Sequence, residues 1–155
     1  MHSDNWALRE DGYLSTLYFA YGANLNRTNM RERCPAAVPF GAYYLEGFRL
    51  VFRTVADIEP VGGEGVHGML WHITPACLRA LDIFEGYPTH YDHWFFEREG
   101  GGEVLCYRMK EGGYGVPPRG YYETLRQGYE DFALPPEQLC RAYALAKECE
   151  DAVLL

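Results

Sequence analysis

Short apolar runs rich in aromatic and β-branched residues, each ended by glycine or proline, limit what this chain can fold into. Thr16 to Tyr21 (TLYFAY) stops at Gly22, and Val66 to Ile73 (VHGMLWHI) stops at Thr74-Pro75. Runs of this length and make-up read as strands. A longer stretch, Val38 to Thr54, carries Tyr, Phe and Val around a central Gly47, the pattern of two strand pieces or one bulged strand. Pro60 to Gly65 (PVGGEG) reads as a turn. Tyr91 to Glu99 and Glu103 to Met109 are two further strands, and the Gly100-Gly101-Gly102 between them is a hairpin signal.

Helices fill the gaps. Asn24 to Arg33 (NLNRTNMRER) is helix-compatible, with an asparagine available as N-cap and Cys34-Pro35 as a stop. Thr74 caps a second helix with Pro75 at its first position; Leu78, Leu81 and Phe84 follow at helical spacing, and Gly86 ends it. After a Gly/Pro-rich loop from Lys110 to Gly120, two amphipathic helices close the chain. One presents Tyr121, Leu125, Gly128, Tyr129 and Phe132, the other Leu139, Ala142, Ala146, Cys149 and Val153. Strands interrupted by single helices, with helices appended, predict an α+β domain whose short strands curl into a small mixed, partly closed β-barrel with flanking helices. Residues 1–15 read as a leader or strand-flanking arm, and residues 16–155 as a single domain.

At 155 residues the chain suits one core and needs no metal or disulfide staple. Aromatics make up 15% of it, which argues against disorder. The thirteen tyrosines suit cross-strand pairs, and a few of them could line a polar pocket. A net charge of −8 with no basic stripe argues against nucleic acid as a partner. No apolar run reaches the roughly 18 residues of a membrane span, and the first fifteen residues lack the apolar centre of a signal peptide. Five scattered cysteines without a CxxC pair read as reduced, buried thiols, so a cytoplasmic location is expected.

Three segments are candidates for chemistry. In YFAYGANL (Tyr18, Phe19, Ala20, Tyr21, Gly22, Ala23, Asn24, Leu25), Gly22 lets the backbone turn sharply so that the next amides can converge on an anion. If Asn24 caps the next helix, the helix dipole adds to that. Such turns are also common plain connections. In LDIFEGYPTHY, Glu85 occupies the last helical turn, where the dipole disfavours a carboxylate, and Phe84, Tyr87 and Tyr91 could strip its water. Both effects raise a pKa towards the range of a general base, although most glutamates are simply exposed. His90-Tyr-Asp-His93 lacks a third metal ligand, and neither a G-x-S-x-G nor a P-loop is present. No metal is therefore expected.

In combination these segments resemble the gamma-glutamylcyclotransferase-like superfamily. YFAYGANL looks like its Tyr-Gly-Ser-Asn-Leu signature, with Ala23 where serine is usual. LDIFEGYPTHY is similar to the segment carrying its catalytic glutamate, at Glu85. PPRGYYETLRQGYEDFALP resembles its Pro-rich loop, pocket tyrosine (Tyr121) and following helix. The resemblance runs from about Thr16 to Pro136. It implies catalysis by Glu85, substrate binding by Tyr18 to Leu25 with Tyr91 and Tyr121, hydroxyls free for substrate, and a small-molecule γ-glutamyl substrate with no cofactor. Two other readings stay open: a binding module that keeps the pocket without turnover, and an enzyme acting on another γ-glutamyl-protected metabolite. The leaving amine and the oligomeric state are not specified by the sequence.

Overall fold

A reversal of only one residue organises the sheet. In the computed structural model, which describes residues 6–8, 12, 14–109 and 112–154, β3 (Val38–Arg53) and β4 (Val55–Ile73) are joined by Thr54 alone. Thr54 takes a positive φ of 73°, a costly conformation for a β-branched residue. It is held there from outside the hairpin: its amide donates to the Gly115 carbonyl at 3.0 Å, and the Gly115 amide donates to Phe52 at 2.9 Å. The turn expected at Pro60 to Gly65 is therefore not the reversal. That segment lies within β4, where Phe48 pairs with Pro60 but Glu46 pairs with Gly65, so the extra residues bulge opposite Gly47. Glycine and proline mark a change of register here, and the long bulged strand is β3.

The other strands are β1 (Ala7–Leu8), β2 (Leu14–Ala20), β5 (Tyr91–Glu97) and β6 (Glu103–Met109). The sheet runs in the order β3-β4-β2-β6-β5, with β1 paired to the start of β2. It is mixed, because β2 and β6 pair parallel while the other partners are antiparallel. Gly100, Gly101 and Gly102 all have positive φ in the β5–β6 hairpin. The two edge strands approach each other through side chains: Tyr43 stacks on Phe96 at 5.8 Å, and Phe48 lies 5.0 Å from Trp94. Phe19 from the central β2 meets both Tyr43 and Phe96 edge-on. The sheet curls into a partly closed barrel whose seam is aromatic packing.

Among the described residues four α-helices flank it: α1 (Arg27–Arg33), α2 (Pro75–Glu85), α3 (Arg119–Asp131) and α4 (Glu137–Leu154). Asn24 does not cap α1. A 3-10 turn, Ala23–Leu25, intervenes, and Asn26 caps instead, accepting from the Asn29 amide at 3.0 Å. The termini of α2 follow the sequence signals: Thr74 accepts from Cys77, Pro75 opens the helix, and Gly86 closes it at φ 64°. Leu139, Ala142 and Ala146 bury the inner face of α4, but Cys149 is half-buried and Val153 is 85% exposed, so the last turn runs past the core. Cys140 is exposed as well, whereas Cys34, Cys77 and Cys106 are buried. Buried Gln138 accepts from the His67 amide, donates to the His67 carbonyl and donates to Tyr129, tying α4 to β4 and α3.

One contact seats the Gly22–Leu25 turn. A β-carbon at Gly128 of α3 would stand 2.6 Å from Leu25 Cβ and 2.8 Å from the Asn26 nitrogen. Backbone cannot yield like a flexible side chain, so the close approach requires glycine. Gly128→Ala should therefore cost about 1–3 kcal/mol, the usual range for overpacking. Urea unfolding measures this; an unchanged midpoint would mean that α3 does not clamp the turn.

Candidate active site

The end of β2, the 3-10 turn, the end of α2 and the starts of β5 and α3 converge on one cavity of about 110 Å³. Gly22, Ala23, Asn24 and Glu85 line it, walled by Tyr18, Tyr21, Tyr91, Tyr107 and Tyr121, with Val55, Ala56 and Phe84 completing the boundary. Such a volume holds on the order of seven to ten water-sized spheres.

Glu85 reaches this place because Gly86 ends α2 one residue later. Burial pushes its carboxyl up to about 7, and the Arg33 guanidinium pulls against that shift. The C-terminal helix dipole acts in the same direction as burial. The Asn24 Nδ2 donates to Glu85 Oε1 at 3.3 Å and to the Tyr18 hydroxyl at 3.0 Å. Arg33 donates to the Asn24 side-chain oxygen Oδ1, and its guanidinium lies 3.4 Å from the centre of the Phe84 ring. Asn24 thus has work in the cavity, which explains why capping falls to Asn26.

The turn leaves some of its amides open. Leu25 and Asn26 donate back to Gly22 and Ala23, while the described residues give the Gly22, Ala23 and Asn24 amides no backbone acceptor. The three residues that carry these amides line the cavity together with Glu85. A β-carbon on Gly22 would meet Ala56 Cβ at 3.2 Å and the Tyr121 hydroxyl at 3.5 Å, so the turn is drawn tightly against β4 and α3.

Two tyrosines expected to present free hydroxyls differ. Tyr91 donates to the Ala56 carbonyl at 2.5 Å, so its hydrogen is committed to structure. Tyr121 accepts from the Ala56 amide at 2.9 Å, which leaves its own hydrogen for a ligand. Phe19, Ala20 and Leu25 do not line the cavity. They are fully buried: Phe19 packs in the barrel seam and Leu25 lies under Gly128. A family segment read as one block thus mixes wall and core. Tyr87 also departs from expectation, stacking on His93 at 3.8 Å instead of covering Glu85.

Four contributors carry no signal in the sequence: Tyr107, Val55, Ala56 and Arg33. Tyr107 is oriented by donating to Asp82 at 2.5 Å, and its carbonyl accepts from Tyr21 at 2.6 Å. Val55 and Ala56 arrive through the Thr54 reversal, a position the sequence reading assigned to the end of a strand. Arg33 was read only as part of a helix. Nothing in their local patterns separates them from ordinary strand or helix residues. His90 and His93 do not converge: His90 is exposed beside Gly86, and His93 bonds Asp82 at 2.7 Å. No cluster of three or more metal-ligating side chains occurs among the described residues, and none of their helices is long and apolar enough to cross a membrane.

Residues 18–124, spanning every segment that builds this cavity, match the family described as Gamma-glutamyl cyclotransferase, AIG2-like. The chain belongs to that family and is an enzyme of gamma-glutamylcyclotransferase-like type. It is 29% identical over 147 residues to the gamma-glutamylcyclotransferase of Bos taurus, covering 84% of this chain and 78% of that protein. Its fold is similar to the crystal structure of an uncharacterized human protein, with a TM-score of 0.72 at 28% identity. It is also similar to a solved gamma-glutamyl cyclotransferase, with a TM-score of 0.71 at 27% identity. Each of these two alignments covers 84% of this chain and 87% of the other.

The raised pKa of Glu85 has a consequence for stability. A carboxyl whose folded pKa lies above its unfolded one adds nothing at pH below both, where it is protonated in either state. As pH rises from the ordinary 4.5 through about 7, the folded state increasingly bears the cost of a desolvated charge. Glu85→Gln should therefore leave the melting temperature unchanged at pH 4 and raise it at pH 8, where the stability gained is on the order of 2 kcal/mol. Thermal unfolding at the two pH values tests this; equal effects at both would mean that Glu85 is not desolvated.

Proposed function

We propose that the enzyme cyclises a γ-glutamyl amide to 5-oxoproline and a free amine, with Glu85 as the group that moves both protons. The observation that carries this reading is a half-buried carboxyl, raised by desolvation to about 7, in a cavity lined also by Gly22, Ala23 and Asn24, whose amides have no backbone acceptor among the described residues. A module that merely bound a γ-glutamyl anion would gain nothing from a carboxylate in its wall.

The substrate brings its own nucleophile, so no serine or cysteine is required. Ionised Glu85 takes a proton from the substrate's α-ammonium. The freed amine attacks the γ-carbonyl carbon, forming the ring N–C bond and moving the carbonyl electron pair onto oxygen. The amides of Gly22, Ala23 and Asn24 are the proposed donors to the α-carboxylate or to that oxyanion, with the Tyr121 hydroxyl as a further donor. The oxyanion then collapses, the bond to the amine breaks, and protonated Glu85 returns a proton to the departing nitrogen; as a carboxylate again it takes the second proton from the ring nitrogen, leaving the lactam N–H, and passes that proton to the released amine. One carboxyl of pKa near 7 is matched to both transfers at neutral pH, each contributing about 10²–10⁴-fold. A cavity sized to a folded glutamyl chain supplies proximity.

Glu85→Gln keeps the shape and the bond from Asn24 but cannot accept a proton. It should fold normally and lose at least about a hundredfold in kcat, measured by 5-oxoproline release from a panel of γ-glutamyl amides; retention within about threefold removes Glu85 from the chemistry. Tyr121→Phe should lower kcat/KM by about two- to tenfold, the range of one neutral hydrogen bond, and should also destabilise the fold because the Ala56 amide loses its acceptor. Unchanged kcat/KM would mean that the Tyr121 hydroxyl does not meet the substrate.

A further inference from the structure

The Asn24 side chain lies between a cation and the candidate base, and only one orientation of its amide suits both. Arg33 can donate but not accept, so it holds the Asn24 oxygen on its own side. The two hydrogens of Nδ2 then face the Tyr18 hydroxyl and Glu85 Oε1. A flipped amide would set oxygen against carboxylate and NH₂ against guanidinium, two repulsive contacts replacing two bonds. Arg33 is braced by the Phe84 ring, which α2 carries next to Glu85, and it is not part of the cavity wall.

We propose that Arg33 is a positioning residue for the reaction: through Asn24 it fixes the Glu85 carboxylate and favours its ionised, proton-accepting form. The inference rests on the reading of Glu85 as the base. Surrounding charges single Arg33 out. The titratable side chains that share the cavity with Glu85 are Tyr18, Tyr21, Tyr91, Tyr107 and Tyr121, and Cys106 interacts with it electrostatically from within β6; all are raised by burial and therefore neutral near pH 7. On β4, Asp57 is paired with Arg53, and on α2 itself Asp82 is bonded to His93 and Tyr107. Arg33, from α1, is the cation that acts on Glu85.

The test compares wild type, Arg33→Met and Arg33→Lys in two ways. The first is the pH titration of the Glu85 side-chain carboxyl carbon by NMR in the substrate-free protein, which needs no turnover. The second is the pH profile of kcat/KM for 5-oxoproline release. Arg33→Met should raise the Glu85 midpoint by about one pH unit, the low end of what a nearby opposite charge contributes. The ascending limb should move with it, costing about tenfold at pH 6 and no more than about threefold at pH 9. Arg33→Lys, which keeps charge and donor, should bring the midpoint and limb most of the way back. If Arg33→Met does not fold, Asn24→Ala cuts the same link and should shift the midpoint in the same direction. An unmoved midpoint, or a loss of activity equal at all pH values, overturns the positioning role. Absence of turnover in wild type would instead remove the cyclotransferase reading, while the titration still decides whether Arg33 governs Glu85.

Discussion

Keeping the Glu85 carboxyl out of bulk water is the constraint to which the rest of the site responds. Desolvating a carboxylate is costly unless partners offset it, and here the offset is partial by construction. One amide donor from Asn24 and one cation behind it, Arg33, act against burial and a helix C-terminus. Had a guanidinium paired directly with Glu85, the carboxyl would sit well below its ordinary range and make a poor base. Had no cation been near, it would stay protonated at neutral pH. Placing Arg33 one amide away yields a group near pH 7.

The scaffold that holds this balance is assembled from distant segments. The Gly22–Leu25 turn is pinned by α3 through the glycine at 128, and α3 is itself tied to β4 through Gln138. The Thr54 reversal, held by Gly115, brings Ala56 to the cavity, where its amide and carbonyl orient Tyr121 and Tyr91. The loop and helix that follow β6 therefore serve the site twice, by fixing the reversal and by supplying Tyr121. This coupling suits a reaction that depends on holding a flexible chain in a ring-closing shape.

Much of this was legible in the sequence, for identifiable reasons. The α2 helix announced both ends, because capping threonine, Pro75 and Gly86 are local signals that the tertiary structure did not override. The glycine triplet gave the β5–β6 hairpin, and the YFAYGANL and LDIFEGYPTHY segments pointed to the residues that meet at the cavity. The misreadings came from long-range effects. PVGGEG looks like a turn, yet the true reversal occurs at a threonine that only the Gly115 contacts from the far loop make tenable. Asn24 looks like a cap, yet Arg33 and Glu85 recruit it. Tyr107 and Arg33 gave no signal, because a strand tyrosine and a helical arginine acquire roles only when sheet curvature and helix docking bring them to Glu85.

In the proposed reaction the substrate's own amine is the nucleophile and water takes no part in cleaving the amide. Turnover of a γ-glutamyl amide in ¹⁸O-labelled water, followed by mass spectrometry of the products, tests it most directly. The account predicts 5-oxoproline and amine in equal amounts, with no ¹⁸O in the lactam carbonyl. Release of glutamate carrying ¹⁸O in its γ-carboxyl would show that the cavity activates water, and would contradict it.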